Sequence, residues 1–309
     1  MKAHRPTIMG TRHMISATQY LAAEAGFRIL EAGGNAIDAG VAAGIALGVV
    51  MPEFVNVAGV APIIIYSATE NRVFTIPGLG TWPKAIEADH FQKRHGGKIP
   101  QGILRTVVPA APDAWITALE RFGTMSFGEV AYSAIGFARD GFPVYPLLSE
   151  IITEHEDEYR AFPTNVALYL PKGRPPQPGE VFVQKALGAT LQYMADQETA
   201  ARSRGGREAG LAAARDAFYR GDIARAIVKF QKENGGLLSA EDLANYRSGF
   251  DEPVQTSFGD IKLYACGPWC QGPSLLQAMN LLDAAELRKL GHAGRILIGG
   301  EEWSARTPY

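Results

Sequence analysis

The groups with the widest chemical reach in this sequence are two cysteines, six histidines and a few polar residues held in glycine-rich turns. Cys266 and Cys270 are separated by three residues in CGPWC, a C-x3-C spacing. A dithiol redox site needs C-x-x-C at a helix N-terminus, where the thiolate is stabilised, and the extra residue breaks that geometry. A zinc site needs about four ligands, and no second Cys or His pair lies close by. The pair therefore reads as two unpaired thiols lining a loop. The histidines, at positions 4, 13, 90, 95, 155 and 292, are scattered. His155 sits in EHEDE, which reads as a solvated acidic helix face. No G-x-S-x-G places a serine in a strained turn. Gly33-Gly34-Asn35 is followed by neither dinucleotide-binding nor P-loop spacing, so it reads as a helix stop. Gln271, Gly272 and Ser274 stand just before an apolar helical pattern. Their polar groups and the helix N-terminus can meet a substrate carboxylate, or can simply cap the helix.

These residues need elements to position them, and the sharpest pattern is near the N-terminus. Leu21, Ala25 and Ile29 repeat at helical spacing, with Ala22 and Leu30 beside them. Gly33 and Gly34 end that helix in a left-handed cap. Asn35 caps a second helix at once, and Asp38 lies in its first turn, near the positive end of the dipole. That helix, AGVAAGIALGVV, is small and apolar on all sides and is expected to be buried; Pro52 marks its end. Residues 61–67 and 72–77 read as a β-hairpin, and PGLGTWP (77–83) as a loop. Trp115, Leu119 and Phe122 share a helical face. Ser126 and Glu129 have capping-box spacing and open a helix that Gly141 closes. Residues 171–181 are a Pro-rich surface connection. Residues 198–215, rich in Arg, Ala and Gly with weak periodicity, read as a mobile or inserted segment. Ile223, Ile227 and Phe230 mark the next helix, Ser239 and Asp242 open a short one, and residues 261–266 read as a strand. Pro273 fits the first turn of a last helix through Leu275, Met279 and Leu282. No internal repeat is visible. Mixed strands and helices imply a layered α+β or α/β domain.

With 309 residues, 47% hydrophobic and 20% charged, the chain has the makings of a sizeable core. A net charge of −2 gives no field that would draw it to nucleic acid or an anionic membrane. Two cysteines exclude a disulfide-dense scaffold. The opening MKAHRPTIMGTRHMIS has no apolar stretch of the secretory kind, which sets a cytoplasmic location as the expectation. The longest apolar run, residues 39–51, is too short to span a membrane.

Four collinear blocks carry a resemblance. AEAGFRILEAGGNAIDAGVAAGIALGVVMP resembles the N-terminal signature of gamma-glutamyltransferases. Residues 121–144, 217–246 and 264–282 are similar to later family blocks in the same order. Coverage runs to about Gly291, so residues 1–291 read as a gamma-glutamyltransferase-like large-subunit region and 292–309 as a non-matching tail. The resemblance implies an N-terminal-nucleophile (Ntn) hydrolase with a four-layer αββα sandwich, here incomplete. It implies a precursor that cuts itself into large and small subunits, the freed threonine of the small subunit being the nucleophile. That threonine attacks a gamma-glutamyl or related amide carbonyl with its own α-amine as base, backbone N–H groups hold the oxyanion, and water or an amine resolves the acyl-enzyme. No metal or organic cofactor is implied. A small subunit and a small amide substrate are the implied partners.

The chain also departs from the family. No Thr-Thr or Thr-His occurs, so no catalytic residue is assigned within it. The stretch where the family carries an arginine for the substrate's α-carboxylate is here FTIPGLGTWPKA, without arginine. Gly78, Leu79 and Thr81 in that stretch, together with Gln271, Gly272 and Ser274, are the candidate substrate-binding residues. The 77–83 loop is either a plain turn or a rim of the acyl pocket. Activity is expected of the family but not of this chain alone. The alternative is a non-catalytic binding or structural domain derived from the same family.

Overall fold

The computed structural model describes residues 8–284, with the backbone alone of two further strands. In chain order the elements are α1 (Tyr20–Glu31), α2 (Ala36–Val50), β1 (Ile63–Ser67), β2 (Arg72–Ile76), α3 (His90–His95), α4 (Ala111–Phe122) and α5 (Phe127–Asp140). There follow β3 (Phe142–Pro143), α6 (Pro146–Glu154), α7 (Glu156–Arg160), α8 (Pro163–Tyr169), β4 (Val181–Phe182), α9 (Lys185–Tyr219), α10 (Asp222–Glu233) and α11 (Ala240–Asn245). The last are β5 (Val254–Phe258), β6 (Ile261–Ala265), α12 (Gly272–Ala284), β7 (Arg295–Ile298) and β8 (Glu301–Ser304). The class is α+β. The described strands pair as four antiparallel two-stranded ladders, β1-β2, β3-β4, β5-β6 and β7-β8. The boundary expected at residues 291 and 292 lies outside the described residues.

The chain forms two compact units. The first holds residues 1–61 and 78–248, the second residues 62–77 and 249–309. In the first, α2 packs on α1, α4 and α5, and α9 on α4 and α5. Contact on several sides explains why α2 shows no polar face: ten of its residues are buried, among them Ile45, Val49 and Val50. Its glycines admit close neighbours, Gly44 the indole of Trp115 and Gly48 the chain at Val57.

Local rules hold at the helix ends. Gly33 adopts φ 92°. The N–H groups of Gly33 and Gly34 donate to the carbonyls of Leu30 and Ile29, which closes α1 in a Schellman motif. Capping boxes form at Asn35 and Asp38, Ser126 and Glu129, and Ser239 and Asp242. Asp38 does more than cap. Fully buried, it also accepts from the Thr124 N–H (2.9 Å), the Thr124 hydroxyl (2.7 Å) and the Met125 N–H (3.1 Å), tying α2 to the turn before α5.

One expectation about the elements is corrected. Residues 198–215, expected to be a mobile or inserted segment, lie within α9, which bends at Gly206 (φ 77°, ψ −169°), a conformation essentially reserved to glycine. Tertiary partners hold them there: the buried Glu198 carboxylate accepts from the Phe127 and Gly128 N–H groups at 2.7 and 2.6 Å, and Arg207 donates to the carbonyls of Met125 and Leu119. α10, whose buried residues are Ala224, Val228 and Gln231, is the helix expected through Ile223, Ile227 and Phe230. Those three line a cleft of about 530 Å³ with Ala189 and Tyr193 of α9. No helix among the described residues is long and apolar enough to cross a membrane.

Candidate functional site

The first three candidate residues, Gly78, Leu79 and Thr81, belong to the first unit, and Gln271, Gly272 and Ser274 to the second.

In the first unit, residues 78–84 are held at successive backbone atoms. The Gly78 carbonyl accepts from the Ala61 N–H at 2.9 Å, and the Thr81 carbonyl from the Val108 N–H at 2.9 Å. Between them the Leu79 carbonyl accepts the Tyr246 hydroxyl at 2.7 Å. The Lys84 N–H donates to Asp242 at 3.0 Å. Two glycines are needed for this path. Gly78 has φ 55°, and a methyl group added there would collide with the Ala61 carbonyl. A methyl group on Gly80 would collide with the Val108 carbonyl. Along this clamped strip Gly78 is buried, Leu79 half-buried and Thr81 exposed. Trp82 keeps 43% of its surface in solvent and leans on Phe91 of α3, ring centroids 5.6 Å apart. A backbone held at so many points presents its side chains in one arrangement, which is what positioning a substrate requires.

The anchor behind this strip was not singled out from the sequence. Asp113, in the first turn of α4, is fully buried. Its carboxylate accepts from Arg215 Nε of α9 at 2.7 Å and from the Ser248 N–H at 2.7 Å. Arg215 extends the network to Glu120 (2.6 Å) and to the Thr117 hydroxyl (3.1 Å). Burial pulls the guanidinium's pKa down, but the hydrogen bond to Glu120 and the charges of Asp113 and Glu120 outweigh it and leave it raised. Tyr219 donates to the Pro109 carbonyl at 2.7 Å and stacks on Tyr246, centroids 5.9 Å apart. Burial, then the nearby Asp113 charge, pushes the Tyr219 phenol up, and burial likewise raises Tyr246, so both are hydrogen-bonding neutral groups. The chain of contacts runs from Asp113 through Ser248, whose hydroxyl lies 3.1 Å from the Tyr246 oxygen, to Leu79. The only sequence sign was an acidic residue in a helix's first turn, where the ordinary reading is a favourable dipole contact.

In the second unit, Gly272 begins α12 and is buried; a methyl group there would collide with the Cys266 carbonyl. The Gln271 carbonyl accepts from the Leu275 N–H at 3.1 Å, so Gln271 caps the helix through its backbone. The side chains of Gln271 and Ser274 are exposed. Cys266 and Cys270 are free thiols. Cys270 accepts from the Gly272 N–H at 3.4 Å, and burial, then its neighbour Cys270, raises the Cys266 pKa. His155 is not on a helix face as expected but in the turn between α6 and α7, where it is exposed and sits 3.1 Å from Glu158. Among the described residues, no three of His, Cys, Asp and Glu come together as a set able to hold a metal ion.

The family model described as Gamma-glutamyltranspeptidase matches residues 22–301 of this chain. The chain is 34% identical over 293 residues to the Acylase ACY 1 proenzyme of Pseudomonas sp. (strain SE83), covering 91% of this chain and 50% of that protein. It is 28% identical to the glutathione hydrolase proenzyme of Escherichia coli (strain K12), covering 90% of this chain and 46% of that one. Among solved structures it resembles the gamma-glutamyltranspeptidase of Helicobacter pylori with a TM-score of 0.83 at 28% identity, over 93% of this chain and 79% of that chain. The chain spans about half the length of the curated relatives it matches.

Proposed function

The chain belongs to the gamma-glutamyltranspeptidase family, and from that premise we propose that it is the scaffold half of an amide-cleaving acyltransferase or amidohydrolase whose nucleophilic threonine is carried by a separate small-subunit segment. In this reading the threonine hydroxyl adds to the acyl carbonyl and its own α-amine takes the proton. The amine leaving group departs with a proton, and water or a second amine releases the acyl group. This chain contributes the clamped strip at residues 78–83, which orients the acyl group.

The observation that carries the reading is on the strands of the second unit. In β1 the alternating Ile64 and Tyr66 keep 47% and 62% of their surface in solvent, and in β6 Ile261 keeps 58%. Both strands stand in two-stranded ladders. Such ladders are marginal in water, and exposed apolar strand faces call for covering strands. Strands of the segment bearing the nucleophile are the occupant this proposal assigns to them. The relatives named as proenzymes support a processed origin for that segment.

The test is co-expression of this chain with the nucleophile-bearing half of the Pseudomonas acylase. The expected result is a co-purifying pair that releases p-nitroaniline from N-acyl p-nitroanilides. A soluble, stoichiometric pair without turnover would contradict the proposal.

A further inference from the structure

We propose that Trp82 is the acyl-recognition residue of this site and that the acyl group it takes is uncharged and aryl-aliphatic; this rests on reading residues 77–83 as the pocket rim. Three observations converge. First, the strip is rigid: the carbonyls of Gly78, Leu79 and Thr81 are engaged by the Ala61 N–H, the Tyr246 hydroxyl and the Val108 N–H. Trp82 therefore leaves a backbone that does not adjust to its ligand. Second, the rim offers no charge. Residues 77–83 read PGLGTWP, and the next cation, Lys84, is taken up by Glu241 at 2.6 Å. A substrate carboxylate placed on this strip would lose water without gaining a partner, a cost that selects against it. Third, Trp82 is 43% exposed, yet its ring is braced by Phe91, which also lies against His90 and His95 at 5.1 and 5.9 Å. A braced, half-exposed indole offers aromatic contact area with little side-chain freedom to lose on binding.

The experiment is equilibrium binding to the full chain by calorimetry, with N-phenylacetylglycinamide as the uncharged aryl probe and gamma-glutamylglycine as the charged one. Neither requires a nucleophile. The aryl probe is expected to bind saturably and the gamma-glutamyl probe not at all. Trp82→Ala is expected to weaken aryl binding about fivefold, and Trp82→Phe to keep it within about twofold of the native chain. The thermal midpoint of each variant checks that folding is retained. Preferential binding of gamma-glutamylglycine, no aryl binding, or aryl binding indifferent to Trp82→Ala overturns the inference. Aryl binding through Trp82 in a chain that never gains turnover with its partner would instead sink the enzymatic reading. A reconstituted pair that hydrolyses gamma-glutamyl amides without aryl binding leaves that reading standing and removes this one.

Discussion

The Tyr246 hydroxyl donates a 2.7 Å hydrogen bond to the carbonyl of Leu79, 167 residues earlier in the chain. It joins the strip after β2 to the segment after α11, and it does so through a phenol that burial keeps neutral. Tyr246→Phe removes the donor and leaves the ring on Tyr219. The expected cost is about 1–2 kcal/mol in denaturant unfolding, with faster amide exchange at residues 79–82 than elsewhere in the same unit. Uniform exchange across the unit would show that the bond does not hold the strip.

Gly80 and Gly136 make an opposed pair. A side chain at Gly80 meets the backbone of Val108, whereas Gly136 lies inside α5 with nothing within 4 Å of an added methyl group. Gly80→Ala is expected to destabilise by about 1–3 kcal/mol through forced backbone movement. Gly136→Ala is expected to stabilise by about 0.5–1 kcal/mol, because glycine in a helix interior is costly. Thermal unfolding of both variants reads the two signs.

Asp113 and Arg215 are both buried, their side chains 0% and 8% exposed. Asp113→Ala strands the guanidinium with only Glu120 and Thr117 as partners and frees the Ser248 N–H. A loss of about 3–5 kcal/mol is expected in denaturant unfolding, the usual result of removing one member of a buried pair. A loss below about 1 kcal/mol would mean that water replaces the pair readily.

The acid limb has a definable contributor. Hydrogen bonds from the Ser126 hydroxyl and N–H lower the Glu129 pKa below its ordinary 4.5. A carboxylate with a lowered folded pKa adds stability above its unfolded value and loses it as pH falls through the folded one. Glu129→Gln keeps the cap's shape without the titration. The variant is therefore expected to lose less stability than the native chain as pH drops below about 4.5. Glu129 is half exposed, so solvent screening limits the effect, and the slope of stability against pH is the quantity to compare.

Sequence pattern was most informative where the physics is local. The caps at Asn35, Ser126 and Ser239 each close within three residues, and the β1-β2 hairpin is bounded by its own turn. Residues 198–215 failed for the opposite reason. Glu198, Arg207 and Arg215 look like surface charges, and only partners about 70 to 100 positions away bury the first and last and half-bury Arg207. The helix marked by Ile223, Ile227 and Phe230 formed as α10, with the smaller Ala224 and Val228 on its buried face. Gly78, Leu79 and Thr81 could be named as candidates from the resemblance, but the clamp on them could not, since Tyr246, Val108 and Ala61 converge only in the folded chain.

The central claim is that these residues orient an acyl group and leave bond cleavage to a threonine carried elsewhere. Steady-state release of p-nitroaniline from N-phenylacetyl and gamma-glutamyl p-nitroanilides, measured with the purified chain alone, tests it most directly. The account predicts a rate equal to the buffer blank at every protein concentration. A rate that rises in proportion to the chain's concentration would contradict it.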